Sequence, residues 1–96
     1  MEIQDVIQEI RKDYETNVKP LVEAGNLDDA NMYMGELMMR RIMPNQMKIE
    51  EYHSGPTLVC CAKSLVENLG RGDSNVNIFE MYLNQLELAV KSGNKF

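Results

Sequence analysis

Apolar residues recur along this chain at intervals of three and four, between short breaks that contain glycine or proline. That spacing is typical of amphipathic α-helices, and the strict alternation expected of half-buried strands is absent. The breaks fall at positions 25–26, 44, 54–56 and 70–74. Because the chain has 96 residues and no linker-like stretch, the pattern predicts one all-α domain covering residues 1–96.

Five helical segments follow from these breaks, four of them long and one short. The predicted bounds are about residues 3–24, 27–43, 44–52, 56–69 and 75–91. Residues 25–29 should form a tight N-terminal helical hairpin, since Gly25 can end one helix and Asn26 or Asp28 can cap the next. Pro20 removes a backbone hydrogen bond inside the first segment, so we expect a kink or break there.

The fourth segment is apolar over most of its circumference, which is typical of a helix inside a bundle. The thin polar strip along it consists of Lys63, Ser64, Glu67 and Asn68. We therefore expect an orthogonal or up-down bundle of four main helices plus one short helix, packed around this segment. Its neighbouring cysteines, Cys60 and Cys61, are expected to be reduced and buried as small apolar side chains.

The second segment is apolar on two opposite faces. One face carries the core set Ala30, Met34, Leu37 and Met38. On a helical wheel, Met32, Met39 and Met43 fall together on the opposite face, at positions i, i+7 and i+11. The fifth segment repeats this pattern more weakly, because Met81 and Leu88 lie opposite its core stripe.

Two interpretations of the second apolar face compete. The helix could be sandwiched between neighbouring helices, in which case methionine fills irregular gaps in a core on both sides. Otherwise Met32, Met39 and Met43 form a surface that binds another protein or a second copy of the chain, since flexible thioether side chains adapt to a partner's shape. Met81 and Leu88 would then add to the partner-binding surface. The acidic charge argues against a lipid surface.

The chain carries 15 acidic and 10 basic residues, which gives a formal net charge of −5. Nucleic-acid-binding proteins usually present a basic face, so this charge disfavours a nucleic acid as the partner. The first ten residues lack the features of a signal peptide, and we find no apolar run long enough to span a membrane. Two adjacent cysteines cannot build a disulfide framework, so we expect a cytoplasmic protein.

Three cations near the end of the second segment are candidates for an anion site, namely Arg40, Arg41 and Lys48. Cations at the C-terminal end of a helix also stabilise the helix through its dipole, so a purely structural role is the alternative. Arg41 projects towards the core side, where an unpaired charge is costly, so it should pair with an acid of the first helix or hold a ligand. The alternative function is therefore a module that binds an anionic small molecule or nucleotide. Nucleic-acid binding through the same residues is a second alternative.

No group of residues in the sequence points to catalysis. His53 is the one histidine, and we expect it to be exposed in a turn, since no metal-ligand spacing surrounds it. A catalytic pair of His53 with Cys60 or Cys61 would need an accessible thiol of lowered pKa, which the apolar neighbours oppose. We therefore predict no enzyme activity, no cofactor and no metal site.

The expected function is that of a small non-enzymatic interaction protein that self-associates or captures a partner through its methionine-rich helix. Small size, acidity and missing catalytic groups suit a regulator, an adaptor or an inhibitor, such as those that viruses or mobile elements encode. This hypothesis requires that Met32, Met39 and Met43 be exposed on the isolated chain.

Overall fold

The computed structural model describes residues 2–96, and its regular elements are all helices. Helix α1 comprises Ile3–Asp13, the π-helical turn Tyr14–Val18 and Lys19–Glu23, and α2 comprises Leu27–Leu37 and the π-helical turn Met38–Ile42. A 3-10 turn, Met43–Asn45, leads into the short helix α3, Gln46–Glu50. The last two helices are α4, Gly55–Leu69, and α5, Asn77–Lys91. Within residues 2–96 there is no strand, so the all-α prediction of four main helices plus a short one is confirmed.

Helices α1 and α2 each widen into a π-helical turn just before a proline. The N–H of Lys19 donates to the carbonyl of Tyr14, and the N–H of Met43 donates to the carbonyl of Met38. Each bond spans five residues, one more than in an α-helix, and the next residue is proline. The wider turn gives the proline ring room against the preceding carbonyls. Of the predicted kink or break at Pro20, the break does not occur, because α1 continues through the proline by way of the π-helical turn.

Each of the four main helices packs mainly on two of the others. Helix α1 packs on α2 and α5, whereas α4 packs on α2, α5 and the short α3. Consequently α1 lies across the bundle from α4, and α2 lies across from α5. The prediction that α4 forms the centre of the bundle was wrong. One side of α4 faces solvent. Cys60 is exposed there and Cys61 is only half-buried, so the predicted burial of the two cysteines was also wrong.

The interior is built from the predicted apolar stripes of the four main helices. Its largest fully buried side chains include Tyr14, Met34, Leu58, Phe79 and Leu83. The rings of Tyr14 and Phe79 lie 5.0 Å apart between centroids, so α1 and α5 meet through an aromatic pair. Burying one large apolar side chain stabilises a fold by about 1.5–3 kcal/mol. The shared core therefore holds the helices in place and fixes the direction of their outward faces.

The C-terminal segment folds back onto the turn between α3 and α4. The N–H of His53 donates to the carbonyl of Asn94 at 3.0 Å, and the N–H of Phe96 donates to the carbonyl of Glu51 at 2.9 Å. The rings of His53 and Phe96 lie 4.2 Å apart between centroids. His53 is exposed, as predicted. Its contacts with Asn94 and Phe96 were not predicted.

Candidate protein-binding surface

Four methionines project outward along the stretch from α2 to α3. The exposed fractions of their side chains are 51% for Met32, 71% for Met39, 53% for Met43 and 86% for Met47. We call these four residues the methionine surface. The first three are the residues that the helical wheel placed opposite the core.

The opposite face of α2 is sealed inside the bundle. Ala30 and Met34 are 0% exposed, and Leu37 and Met38 are also buried. Helix α2 is therefore apolar on two sides, of which its own chain covers one. The interpretation in which both faces belong to the core does not hold for this structure.

Met47 extends the surface beyond the residues that the wheel selected. It lies in α3 and follows Met43 by four residues. The chain stays helical from Leu27 to Glu50 through the 3-10 turn, and both methionines are exposed along it. The predicted boundary at Pro44 hid this continuity, although the spacing of the methionines was visible in the sequence.

Met81 and Leu88 belong to a separate surface. Both are exposed, at 45% and 64% respectively, but they lie on α5. Since α5 lies across the bundle from α2, the outward faces of these two helices point in different directions. The structure thus does not join the five predicted partner-binding residues into one patch.

Gly35 lies on α2 beside the methionine surface, between Met32 and Met39. Apart from the adjoining residues of its own helix, a Cβ atom at Gly35 would meet no atom of the chain within 4 Å. Glycine in the middle of a helix weakens that helix relative to alanine by about 1 kcal/mol. Packing within the monomer therefore gives no reason for a glycine at this position.

Two exposed charges lie beside the methionines at the centre of the outward face of α2. Glu36 and Arg40 are both exposed. Among the ion pairs of residues 2–96, none involves either side chain. Apart from these two charges, the centre of the face is apolar.

Arg41 is held by two carboxylates of α1. Its Nε donates to Oδ2 of Asp13 at 2.8 Å, and its Nη1 donates to Oε2 of Glu9 at 2.5 Å. The hydrogen bond with Asp13, followed by the charge of Asp13, raises the pKa of Arg41. Burial opposes this shift, and the charge of Glu9 adds a smaller contribution that raises the pKa. The expected pairing with an acid of the first helix is confirmed, and Arg41 links α2 to α1.

The three candidate anion-binding cations are not gathered at one site. Arg40 and Arg41 line a shallow recess that also contains Asp13 and Glu36. Lys48 lines a different recess, beside the acids Glu2, Asp5 and Glu51. Carboxylates at both places oppose the binding of an anion.

The surroundings of Cys61 disfavour a reactive thiolate. Burial, followed by the neighbouring Cys60 thiol, raises the pKa of the Cys61 thiol, which lowers its reactivity as a nucleophile. No group of three or more His, Cys, Asp or Glu residues among residues 2–96 is arranged to hold a metal ion.

None of the helices in residues 2–96 combines the length and the apolar character that crossing a lipid bilayer requires. No family model, curated protein or solved structure matches this chain.

Proposed function

We propose that this chain is a non-enzymatic interaction protein, a regulator, adaptor or inhibitor, that binds another protein chain through the methionine surface. One observation carries the proposal: Met39, in the last turn of α2, is 71% exposed although the other side of the same helix is buried. Large apolar side chains grouped along one face of a monomer are uncommon unless a partner covers them. Unbranched thioether side chains suit such a face because they adapt to a partner at little strain.

The composition of the face supports a protein partner over a nucleic acid or a small anion. A nucleic acid would be held by cations, but Arg41 is occupied by Glu9 and Asp13 and the chain carries a net charge of −5. An anionic ligand would meet Asp13 and Glu36 in the recess beside Arg40. Apolar contact along α2 is the interaction that these residues favour.

A reducing compartment fits the two thiols. Cys60 is exposed, and both cysteines are free. Exposed free thiols are stable in the cytoplasm and prone to oxidation outside it. We therefore place the proposed interaction in the cytoplasm.

Site-specific photocrosslinking tests the proposal. Met39 is replaced by a photoreactive diazirine residue, and the labelled protein is irradiated both pure at high concentration and in an extract of its source. We expect an adduct of defined mass, which is either a pair of these chains or this chain joined to another protein. The same residue at position 67, exposed on the polar strip of α4, is the matched control.

A double variant separates specific contact from chance collision. M32E/M43E places charges on either side of position 39 at exposed positions, so the bundle should fold normally. We expect this variant to abolish the adduct from position 39. An adduct from position 39 no stronger than that from position 67, in both samples, would overturn the proposed function.

A further inference from the structure

We infer that the partner of the methionine surface is a second copy of this chain, packed antiparallel about a two-fold axis. This inference rests on the proposed function and adds to it the identity and the orientation of the partner. Three features of α2 support it: its charge order, the register of its methionines, and the glycine at its outward edge.

The charges on the outward face of α2 change sign along the helix. Asp28 and Glu36 precede Arg40, and all three are exposed. Antiparallel pairing of two identical helices places the acidic part of each beside the basic part of the other. Parallel pairing in register would set Glu36 against Glu36 and Arg40 against Arg40. Charge complementarity therefore favours the antiparallel arrangement.

The methionines are placed symmetrically for such a pairing. A two-fold axis that crosses α2 between Leu37 and Met38 brings Met32 of one copy opposite Met43 of the other. In that register Met39 lies beside the axis in both copies, and every contact occurs twice, as an isologous interface requires. Along the helix axis, the position of Glu36 in one copy then lies next to the position of Arg40 in the second copy.

Gly35 gives the second helix room to approach. Its backbone is open on the outward side, because no atom beyond the adjoining residues of its own helix lies within 4 Å of where a Cβ would be. Small residues at a helix crossing allow the two backbones to come close. A neighbouring helix thus supplies the reason for this glycine that the monomer lacks.

One helix from each copy makes a small interface, so we expect a weak dimer. Interfaces below the standard size are typical of transient complexes, and the dissociation constant should be on the order of 10–100 µM. Sedimentation equilibrium over concentrations from about 1 µM to about 1 mM covers this range. The mass of the wild-type chain should rise from 11.0 kDa towards twice that value.

Charge reversal tests the antiparallel register. E36R places two cations together across the axis, and R40E places two anions there, so each single variant should weaken the dimer about tenfold or more. The double variant E36R/R40E restores opposite charges and should return the dissociation constant to within about threefold of the wild-type value. E67R, an exposed change of the same charge on α4, should leave it unchanged.

The outcomes distinguish this inference from the proposed function. A wild-type chain that stays monomeric at about 1 mM overturns the inference. So does a dimer that E36R leaves intact or that E36R/R40E fails to restore. If, in either case, position 39 crosslinks to a different protein, the proposed function stands and its partner is that protein. A monomer without any adduct from position 39 overturns both.

Discussion

The hydroxyl of Tyr14 donates a hydrogen bond of 2.7 Å to Oε1 of Glu80, which joins α1 to α5 inside the bundle. Tyr14 is only 1% exposed. Burial, followed by the hydrogen bond and the charge of Glu80, raises the pKa of Tyr14 well above its ordinary value. The neutral hydroxyl is therefore the form that the folded chain holds.

This relationship predicts a loss of stability in alkaline solution. A group whose pKa is raised by folding contributes stability that is present below its ordinary pKa and is lost as the pH rises. The ordinary pKa of tyrosine is 10.0, so the free energy of unfolding should fall as the pH rises above that value. Urea titrations between neutral pH and pH about 11 measure the slope.

Y14F is the matched control for the alkaline loss. It removes the titrating hydroxyl, so its free energy of unfolding should decline less steeply above pH about 10 than that of the wild-type chain. At neutral pH it should cost about 1 kcal/mol, because Glu80 loses a hydrogen bond. Equal alkaline slopes in the two proteins would contradict the assignment of the loss to Tyr14.

Two glycines should respond in opposite directions to replacement by alanine. A Cβ at Gly55 would collide with the backbone carbonyl of Ile49, which is fixed in α3, so G55A should cost about 2–3 kcal/mol. A Cβ at Gly35 would meet only open space, so G35A should stabilise the monomer by about 0.5–1 kcal/mol. Urea unfolding of dilute samples measures both. A stabilising G55A would contradict the close packing of the turn.

Arg41 and Arg40 are adjacent arginines with different environments. R41M should lower the urea midpoint, because Glu9 and Asp13 lose their shared cation and are left near each other. R40M, at an exposed position outside any described ion pair, should change the midpoint little. Added salt should narrow the difference between the two variants, since the Arg41 side chain is partly exposed. Equal midpoints would mean that the pairing contributes nothing to the fold.

The C-terminal segment should protect the turn between α3 and α4 from opening. A chain that ends at Gly93 loses the carbonyl of Asn94, which accepts the amide of His53. Hydrogen exchange at His53 should then become at least about tenfold faster, while exchange in the middle of α4 stays the same. F96A retains the backbone bonds and should have a smaller effect. An unchanged rate at His53 in the truncated chain would show that this contact is not formed in solution.

The helices were predictable because periodicity is a local property, but two of their details were not. The stripe through Ile7, Ile10 and Tyr14 indicated both the first helix and its buried side. Pro20 indicates that a backbone hydrogen bond is lost, but it does not specify whether the helix breaks, kinks or widens into a π-helical turn. The start of α5 is at Asn77 and not at Asn75, because the side chain of Asn75 accepts the N–H of Asn77 just ahead of the helix.

Non-local contacts account for the remaining differences between prediction and structure. Cys60 lies in an apolar run but on the side of α4 that no other helix covers. Phe96 contacts His53 although the two residues are 43 positions apart in the sequence, and no short-range pattern reveals such a pairing. The separation of Met81 from Met39 likewise depends on which helices are neighbours in the bundle, which the wheel of a single helix does not specify.

Methionine methyl groups report the central claim, because the chain carries them both in its core and on its outward face. NMR spectra of the protein with ¹³C-labelled methionine methyl groups are recorded in the presence of a soluble paramagnetic agent. The protein is first dilute, and then either concentrated or mixed with a partner that the crosslinking experiment has identified. In dilute solution the agent should broaden the Met39 methyl signal strongly and leave that of Met34 sharp. Raising the protein concentration or adding the partner should then protect the Met39 methyl group from broadening by the agent. A Met39 methyl that is shielded at every dilution, or that stays accessible under all conditions, would contradict a partner-binding methionine surface.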